Sequence, residues 1–454
     1  MTEEPARVRT ALLPRSFRKS YPVAAHAEGV YVWDADGRQY LDFCGGAAVS
    51  FIGHCDPAVR AAIADQAAAL DFVHSSQFIT REGEEFAREL LEFAGAAYRG
   101  GAVYFTSGGS EAVETALKLA RQCQIDRGQA GRFEIISRHQ SYHGATLGAV
   151  AVSGNLRRRR AYLPMVREFE QVATPYCYRC KYGCRECGAA YAGEIEAAIR
   201  RCQGRVATFI FEPVSGATLG AVVPRPDYLP RVAEICRREG VLLVADEVMT
   251  GCGRTGRNFA VEHWDVAPDI LVLGKGISSG YLPLGAVIAR TEVIDSIARG
   301  SGTFMHGFTY NAHPVGVAAG RAAIARIREL GLVQAADSQR EGSPAAILGA
   351  KLHALRSSPS IGDVRGLGLL WGLEFVRDRA SKEPFAPELQ VAARVAEAAM
   401  RRGLMVYPGQ GCVDGERGDH ILIAPPAITT AEQIGWAVER LRDAIGEVEA
   451  EVFR

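Results

Sequence analysis

The chain has 454 residues, with 52 Lys plus Arg and 52 Asp plus Glu, so its formal net charge at pH 7 is zero. A chain of this length can bury a large core and predicts two or more domains, while the balanced charge argues against binding to nucleic acid or membranes by bulk charge. The first residues lack an apolar secretion segment and no apolar run could span a bilayer, so we expect a soluble cytoplasmic protein.

The predicted elements begin with an irregular arm over residues 1–30 and a hairpin over residues 30–43, where two β-rich runs flank an Asp-Gly turn. Helices are predicted over residues 57–70 and 82–93. From residue 102 onward, strands alternate with Gly-rich turns and helices, which indicates a mostly parallel α/β sheet. The strand candidates are residues 102–106, 133–137, 207–211, 241–245, 270–273 and 285–289.

The last third of the chain predicts a smaller αβ unit. A long helix is expected from His313 to about Leu330, and a polar stretch containing Gly and Pro follows near residues 337–344. Apolar runs at 369–375, 404–406 and 421–424 are strand candidates, and a final helix is expected from Ala431.

The first candidate site follows the strand predicted at 102–106. Two Gly residues end that strand, and an amphipathic helix begins at Gly109 and Ser110. Free backbone N–H groups at a helix start, reinforced by the helix dipole, can bind a phosphate. An ordinary helix cap is the alternative, and this motif alone does not separate the two.

Further candidates follow the next strands. Tyr142 stands beside a Gly and could stack on a flat ring, although an aromatic at a turn or in the core is the simpler interpretation. Glu212 follows the strand at 207–211, and Asp246 ends an apolar run. At the carboxyl end of a buried strand, Asp246 could hold a protonated ring nitrogen. A Mg²⁺-binding carboxylate is the alternative, but the chain has no Walker-A partner for it.

Lys275 leaves the buried run at 270–273 between two Gly residues. Gly lets the backbone turn sharply and lets another molecule approach. In a partly dry site, the pKa of a Lys ammonium falls, so the amine can act as a nucleophile or a base. By itself, a Gly-Lys-Gly sequence is more simply a surface Lys at the end of a strand.

Taken together and in order, a phosphate cradle, a stacking Tyr, a ring-nitrogen Asp and a Lys describe a site for pyridoxal phosphate, which forms a Schiff base with a Lys. The sequence resembles the class III pyridoxal-phosphate-dependent aminotransferases, the ω-amino acid and amine transaminase group, over nearly its whole length. The motifs that carry the resemblance are Thr-Ser-Gly-Gly-Ser-Glu-Ala (106–112), Tyr-His-Gly (142–144), Asp-Glu-Val (246–248), Gly-Arg-Thr-Gly (253–256), Gly-Lys-Gly (274–276) and Gly-Phe-Thr-Tyr-Asn-Ala-His-Pro (307–314).

The resemblance implies a role for each matching residue. Lys275 would be the Schiff-base Lys and the proton-transferring base, and Asp246 would keep the pyridine nitrogen protonated. Val248 and Tyr142 would pack against the two faces of the ring. The remaining cofactor contacts would be made by Gly109, Ser110 and Glu212, and by Thr309 from the neighbouring subunit of a homodimer.

The resemblance also implies fold type I, with a large cofactor-binding domain and a small αβ domain formed by both chain ends. We expect residues 1–75 to be the N-terminal part of the small domain, residues 76–330 the large domain, and residues 331–454 the C-terminal part. In the position after Asp-Glu-Val, many relatives carry a Gln close to the cofactor hydroxyl, whereas this chain has Met249.

Arg417 is the sequence candidate for binding a substrate carboxylate. Related transaminases carry a mobile Arg in this C-terminal loop, and a guanidinium can form two hydrogen bonds with one carboxylate. A solvent-exposed loop Arg is the alternative, because alignment of this loop is loose.

Four Cys residues crowd into an insert at residues 175–190: Cys177, Cys180, Cys184 and Cys187. Transaminase chemistry does not need them, and their C-x2-C-x3-C-x2-C spacing favours a metal centre. A continuous run of this kind resembles an iron–sulfur ligand set, whereas structural zinc sites more often join two knuckles through a longer insert. Unligated thiols or a redox disulfide are the alternatives.

These features predict a transaminase that moves an amino group from an ω-amino acid or amine to an α-keto acid such as pyruvate. The main alternative is a decarboxylase or aminomutase of the same fold. Cys180, Cys184 and Cys187 also match the three-Cys pattern of radical S-adenosylmethionine enzymes, but Cys177 could be a fourth ligand and close the cluster. A catalytically inactive binding protein would have no need for Lys275 and Asp246 together.

Overall fold

The computed structural model describes residues 11–183 and 187–453. The strands are β1 (Ala24–Glu28), β2 (Tyr31–Asp34), β3 (Gln39–Asp42), β4 (Ala102–Thr106), β5 (Glu134–Arg138), β6 (Glu170–Val172), β7 (Val206–Phe211), β8 (Leu242–Asp246), β9 (Ile270–Leu273), β10 (Gly285–Ala289), β11 (Ile361–Leu367), β12 (Leu370–Phe375), β13 (Leu404–Met405), β14 (Tyr407–Gln410) and β15 (Asp419–Ile423).

The α-helices lie between and after these strands. They are α1 (Gly45–Ala48), α2 (Pro57–Ala69), α3 (Arg81–Ala94), α4 (Gly109–Asp126), α5 (Leu147–Val152), α6 (Leu156–Arg159), α7 (Cys187–Arg201), α8 (Tyr228–Glu239), α9 (Thr291–Arg299), α10 (Pro314–Glu329), α11 (Leu332–Ala335), α12 (Pro344–Ala354), α13 (Val391–Arg401) and α14 (Ala431–Val452). None of the helices described is long and apolar enough to cross a membrane.

The largest sheet has seven strands in the order β4-β10-β9-β8-β7-β5-β6. Strands β5 to β9 run parallel to one another, and β10 is antiparallel to both β4 and β9. The prediction of a mostly parallel sheet is therefore confirmed. Because β9, β8, β7 and β5 are adjacent and parallel, their carboxyl ends meet at one edge, where ligand sites form in such sheets.

The central strands are buried on both faces, as their apolar sequences require. Ile210, Val244 and Val272 pack into one core with α4. Phe209 and Leu271 belong to the larger core on the other face. The sheet is thus covered on both sides.

Both chain ends contribute to a second sheet, in the order β1-β2-β3-β13. The predicted hairpin is confirmed, since β2 and β3 pair antiparallel. The expectation of an irregular arm up to residue 30 is wrong over Ala24–Glu28, which pairs antiparallel with β2. Strand β13 from the C-terminal part pairs parallel with β3. This pairing supports, but does not test, the proposed division into domains.

A third sheet, in the order β11-β12-β15-β14, is tied to the Cys-rich insert through Glu374 on β12. The carboxylate of Glu374 is fully buried. It accepts hydrogen bonds from Arg179 Nε at 2.7 Å, from Arg365 Nη1 at 2.8 Å, and from the hydroxyl of Tyr176. The start of the insert is thereby bonded to the C-terminal part of the chain.

Candidate active site

A cavity of about 190 Å³ opens at the carboxyl edge of the large sheet. Its lining includes most of the residues that the sequence singled out, although they come from segments far apart in the chain. They are Gly109, Ser110, Tyr142, Glu212, Asp246, Val248 and Lys275. The parallel strands deliver four of these segments to the same edge.

Lys275 follows β9, and its backbone has a φ of +45°, in the left-handed region that non-Gly residues rarely adopt. Such strain persists where the surrounding structure enforces it, and it often marks functional sites. Burial lowers the pKa of Lys275 from its ordinary value to about 8, against the opposing effect of Asp246 and Glu212. The amine is therefore partly uncharged near neutral pH, as a nucleophile or base requires.

Asp246 ends β8 with its carboxylate fixed at both oxygens. Oδ2 lies 2.8 Å from Nδ1 of His143, and Oδ1 accepts a hydrogen bond from the backbone N–H of Val248 at 3.1 Å. An ionised carboxylate accepts hydrogen bonds, so Nδ1 of His143 carries the proton and donates it. The pair presents a negative charge to the cavity in one fixed orientation.

His143 itself reaches the cavity lining, and its second ring nitrogen, Nε2, is buried without a hydrogen-bond partner among the described residues. Buried polar atoms are normally paired, so an unpaired one beside a cavity indicates room for a polar ligand. The sequence motif Tyr-His-Gly had drawn attention to Tyr142. The sequence assigns no role to the adjacent His143, which lies in the loop after β5.

The start of α4, at Gly109 and Ser110, also lines the cavity. A Cβ atom on Gly109 would lie only 3.0 Å from Cγ1 of Val248, so Gly allows the helix start to approach the strand that carries Asp246. The hydroxyl of Ser110 accepts a hydrogen bond from the backbone N–H of Ala145 at 3.0 Å. Exposed N–H groups at the start of an 18-residue helix suit a phosphate.

Glu212 also lines the cavity and directly follows β7. Its Oε2 accepts a hydrogen bond from the backbone N–H of Tyr142 at 3.2 Å, and its Oε1 accepts one from Gly216 at 3.1 Å. Burial raises the pKa of Glu212. The side chain therefore links the segment that carries Tyr142 to the loop that follows β7.

Met249 also lines the cavity, at the position where the resemblance leads us to expect a Gln. A Cβ atom on Gly216 would lie 2.3 Å from Sδ of Met249, which places the thioether against that loop. A thioether is at most a weak hydrogen-bond acceptor, so this wall of the cavity is less polar than an amide would make it.

These residues fit pyridoxal phosphate. A helix start for a phosphate, a carboxylate for a ring nitrogen and an amine of lowered pKa lie around one cavity whose polar groups are incompletely paired. Lys275, Asp246, Gly109 and Ser110 thus line one cavity, and their roles toward the cofactor remain a prediction.

The sequence pattern of the family described as "Aminotransferase class-III" matches residues 14–445. This chain belongs to the class-III aminotransferases. It is 37% identical over 441 residues to the aminotransferase YodT of Bacillus subtilis, covering 96% of this chain and 98% of that protein.

Solved structures agree with the family assignment. The (S)-enantioselective ω-transaminase from Thermomicrobium roseum superposes with a TM-score of 0.89 at 34% identity, covering 97% of this chain and 96% of that one. An amine transaminase from an uncultivated Pseudomonas species, solved with pyridoxal phosphate bound, gives 0.89 at 33% identity, covering 98% and 100%. The aminotransferase is therefore an enzyme with the type I fold.

Two sequence candidates lie outside the cavity lining. Thr309 is exposed in the loop before α10. The guanidinium of Arg417 is half exposed and paired with Asp414, at 2.7 Å from Nε to Oδ2, and with Glu383 at 3.6 Å. In this arrangement, its charge is balanced by carboxylates of its own protein.

The Cys-rich insert lies between β6 and α7. Sγ of Cys177 is 3.8 Å from Sγ of Cys187, and Sγ of Cys180 is 3.7 Å from the carbonyl oxygen of Gly183. Cys184 falls outside the residues that the structure describes. Over residues 11–183 and 187–453, no three His, Cys, Asp or Glu side chains are grouped as a metal ion would require. The four-Cys metal site remains a prediction.

Arg158 is a residue that the sequence analysis missed. Its guanidinium carbon lies 4.5 Å from the centroid of the Tyr142 ring, and so at the edge of the site. The signal was the run of four consecutive Arg residues at 157–160, which follows the Tyr-His-Gly motif by a dozen residues. Charge runs usually mark a solvated surface, and nothing in the sequence shows which member faces a cavity.

Proposed function

We propose that this aminotransferase moves an amino group from an ω-amino acid or amine to an α-keto acid such as pyruvate. The observation that carries the proposal is the amine of Lys275, with its lowered pKa, in one cavity with the fixed carboxylate of Asp246. The relatives with solved structures are named as transaminases of ω or amine type, which supports the same substrate class.

Lys275, Asp246 and His143 would have different roles in the reaction. Lys275 would bind the cofactor covalently through Nζ and, once released, move a proton at the substrate carbon. Asp246 would hold a proton on the ring nitrogen, with His143 fixing the carboxylate. Bound pyridoxal phosphate supplies the ring that withdraws electrons from the substrate carbon.

Other residues would position the cofactor. Val248 and Tyr142 would pack on opposite faces of the ring, while Glu212 would hold the segment that carries Tyr142. Gly109 and Ser110 would bind the phosphate at the start of α4. Thr309 of the partner subunit would complete the phosphate site, so we propose a homodimer with shared active sites, in the cytoplasm. Light scattering should then give twice the mass of one chain.

Arg417 is proposed as an exchangeable contact for a substrate carboxylate. Its present partners, Asp414 and Glu383, are themselves carboxylates at the protein surface. Replacing one carboxylate with another in a solvated loop costs little, because exposed ion pairs contribute about 0–1 kcal/mol. The loop could therefore release Arg417 when a substrate arrives.

We also propose that Cys177, Cys180, Cys184 and Cys187 bind an iron–sulfur cluster, or zinc as the alternative, with a structural role. The spacing in the sequence supports a cluster. The 3.8 Å between Sγ of Cys177 and Sγ of Cys187 supports zinc, because four sulfurs at ~2.3 Å from one tetrahedral ion are ~3.8 Å apart. Metal analysis of the protein distinguishes the two.

The deciding experiment follows the bound cofactor by absorbance while single donors are added to the enzyme without an acceptor. Conversion to the aminated cofactor, reversed by pyruvate with formation of alanine, is the expected result. A decarboxylase would release carbon dioxide, and an aminomutase would return a positional isomer of the donor. Either product without alanine would overturn the proposal. A radical aminomutase would also require S-adenosylmethionine and a reduced cluster at the insert.

A further inference from the structure

The short helix α6 brings a cluster of positive charge to the edge of the active-site cavity. Asn155 precedes this helix, and Leu156 is its first residue. The four consecutive Arg residues 157–160 follow. The side chain of Asn155 caps the helix by accepting a hydrogen bond from the backbone N–H of Arg158 at 3.2 Å. This cap fixes the backbone at the position from which the Arg158 side chain extends.

The Arg158 guanidinium stacks near the ring of Tyr142, with 4.5 Å between its carbon and the ring centroid. Tyr142 lines the cavity together with Lys275. A guanidinium stacked on an aromatic ring keeps its N–H donors in its own plane, where they remain available to a planar oxyanion. The stacking therefore orients Arg158 without using its hydrogen bonds.

Within the part of the chain that the structure describes, the Arg158 side chain has no hydrogen bond and no ion pair. Arg157 is likewise exposed, but the other two members of the run differ in this respect. Arg159 is paired with Glu168 at 3.5 Å, and Arg160 is paired with Glu416. Arg158 is thus an exposed cation with open donors, next to a Tyr142 ring that lines the cavity.

The other arginines around the site already use their donors inside the protein. Arg138 is buried and donates to the carbonyl oxygen of Glu212, and Arg254 donates to the carbonyl oxygens of Pro425 and Ser50. Arg417 is held by its two carboxylates. A substrate anion would have to displace a buried backbone carbonyl at Arg254 and a surface carboxylate at Arg417, whereas the Arg158 donors have no protein partner among the described residues.

The charge of Arg158 also reaches the reacting group. It is one of the charges that oppose protonation of Lys275 and so help burial to lower the pKa of that amine. An anion bound to Arg158 would therefore be close enough to influence Lys275. A chain-like substrate with an amine at one end and an anion at the other would bring its amine to Lys275 and its anion to Arg158.

We propose that Arg158 binds the carboxylate of ω-amino acid substrates, at the end of the molecule opposite to the reacting amine. This inference rests on the proposed transaminase function and specifies its substrate class. Arg158 is a specificity residue in this scheme, since simple amines would react without it. Arg417, in contrast, would be a secondary contact.

Binding can be measured without any reaction. Isothermal titration calorimetry of the cofactor-loaded enzyme with pentanoate, and with neutral pentanamide, compares the wild type with Arg158→Gln. Loss of a charged hydrogen-bonded pair should weaken pentanoate binding by about 10- to 100-fold and leave pentanamide unchanged. Arg160→Gln is the matched control, because it removes the same charge two residues away and should bind pentanoate as the wild type does.

Equal pentanoate affinity in the wild type and Arg158→Gln would overturn the proposal, as would an absence of pentanoate binding to the wild type. So would an equal loss in Arg158→Gln and Arg160→Gln, which would indicate only the general positive charge of α6.

Kinetics provide the second readout, with 5-aminopentanoate and pentylamine as matched donors. Arg158→Gln should lower kcat/KM for 5-aminopentanoate about 10- to 100-fold more than it lowers kcat/KM for pentylamine, and mainly through KM. An equal loss with both donors would mean that Arg158 only supports Tyr142, and a selective loss confined to Arg417→Gln would assign the carboxylate to Arg417. If no donor reacts but pentanoate binding still depends on Arg158, the transaminase proposal fails while the anion site stands.

Discussion

Nδ1 of His143 lies 2.8 Å from Oδ2 of Asp246, and both side chains are buried although 103 residues separate them in the chain. The contact joins the segment after β5 to the end of β8. The contact with His143 holds the Asp246 carboxylate in one orientation, and burial limits the screening of its charge by water. Replacing the Asp246 carboxylate should therefore lower the rate of catalysis more than the affinity for the cofactor.

We predict that Asp246→Asn retains cofactor but lowers kcat by at least about 100-fold. An amide cannot supply the negative charge that holds a proton on the ring nitrogen, and this loss corresponds to about 3 kcal/mol of the activation free energy. His143→Asn should lower kcat by less, because the charge remains but is less well oriented. The double variant should be no slower than Asp246→Asn alone, since His143 acts through Asp246. Additive losses in the double variant would show that His143 acts on its own.

Lys275→Ala should abolish transamination and the absorbance of the covalently bound cofactor. Borohydride reduction of the wild type followed by peptide mapping should place the cofactor on the peptide that contains Lys275. Lys351→Ala, which alters a Lys on α12 outside the cavity lining, serves as the control and should keep both activity and absorbance. Cofactor found on any other Lys would refute this assignment.

The stability of the cofactor-free enzyme should depend on pH through Lys275. Burial lowers the pKa of this amine to about 8, so between pH 8 and the ordinary value of 10.5 the unfolded chain binds a proton that the folded chain does not. The free energy of unfolding should therefore rise with pH across this window by up to about 3 kcal/mol, relative to Lys275→Met. Below pH 8, the wild type should have a lower free energy of unfolding than Lys275→Met.

Denaturant titrations of both proteins at pH 7 and pH 10 measure that difference. Subtracting the Lys275→Met curve removes the contribution of all other titrating groups. Parallel pH dependence in the two proteins would mean that the amine is solvated when the cofactor is absent.

The Cys-rich insert should contain metal when the protein is purified without oxygen. Iron with labile sulfide would support a cluster, and one equivalent of zinc would support the alternative. Cys180→Ser combined with Cys184→Ser should lower the melting temperature and the metal content, while the cofactor absorbance of the folded fraction stays the same. Cys55→Ser, at an exposed Cys outside the insert, should change neither. Neither metal, with four titratable thiols, would refute the prediction.

The sequence predicted the strands that carry the site because their apolar runs are continuous and end in distinctive residues, as 270–273 does before Lys275. It missed β6, whose three residues Glu-Gln-Val have no apolar pattern, and β11, where polar and Gly residues interrupt the strand. The contact between His143 and Asp246 depends on strand order, which local patterns do not specify. The position of Arg158 over Tyr142 likewise depends on the packing of α6.

The bonds from Tyr176 and Arg179 to Glu374 divide the Cys-rich insert into two parts with different prospects for engineering. The first part, which contains Tyr176 and Arg179, is bonded to β12. Its removal would leave the buried carboxylate of Glu374 without these two hydrogen-bond donors. Sγ of Cys177 and Sγ of Cys187 lie 3.8 Å apart, so the described ends of the insert are close together. A linker of a few residues between them would cost little loop-closure entropy, but it would remove Cys180 and Cys184 and with them the proposed metal site. Such a variant would therefore separate the anchoring of β12 from the stabilisation that a bound metal supplies.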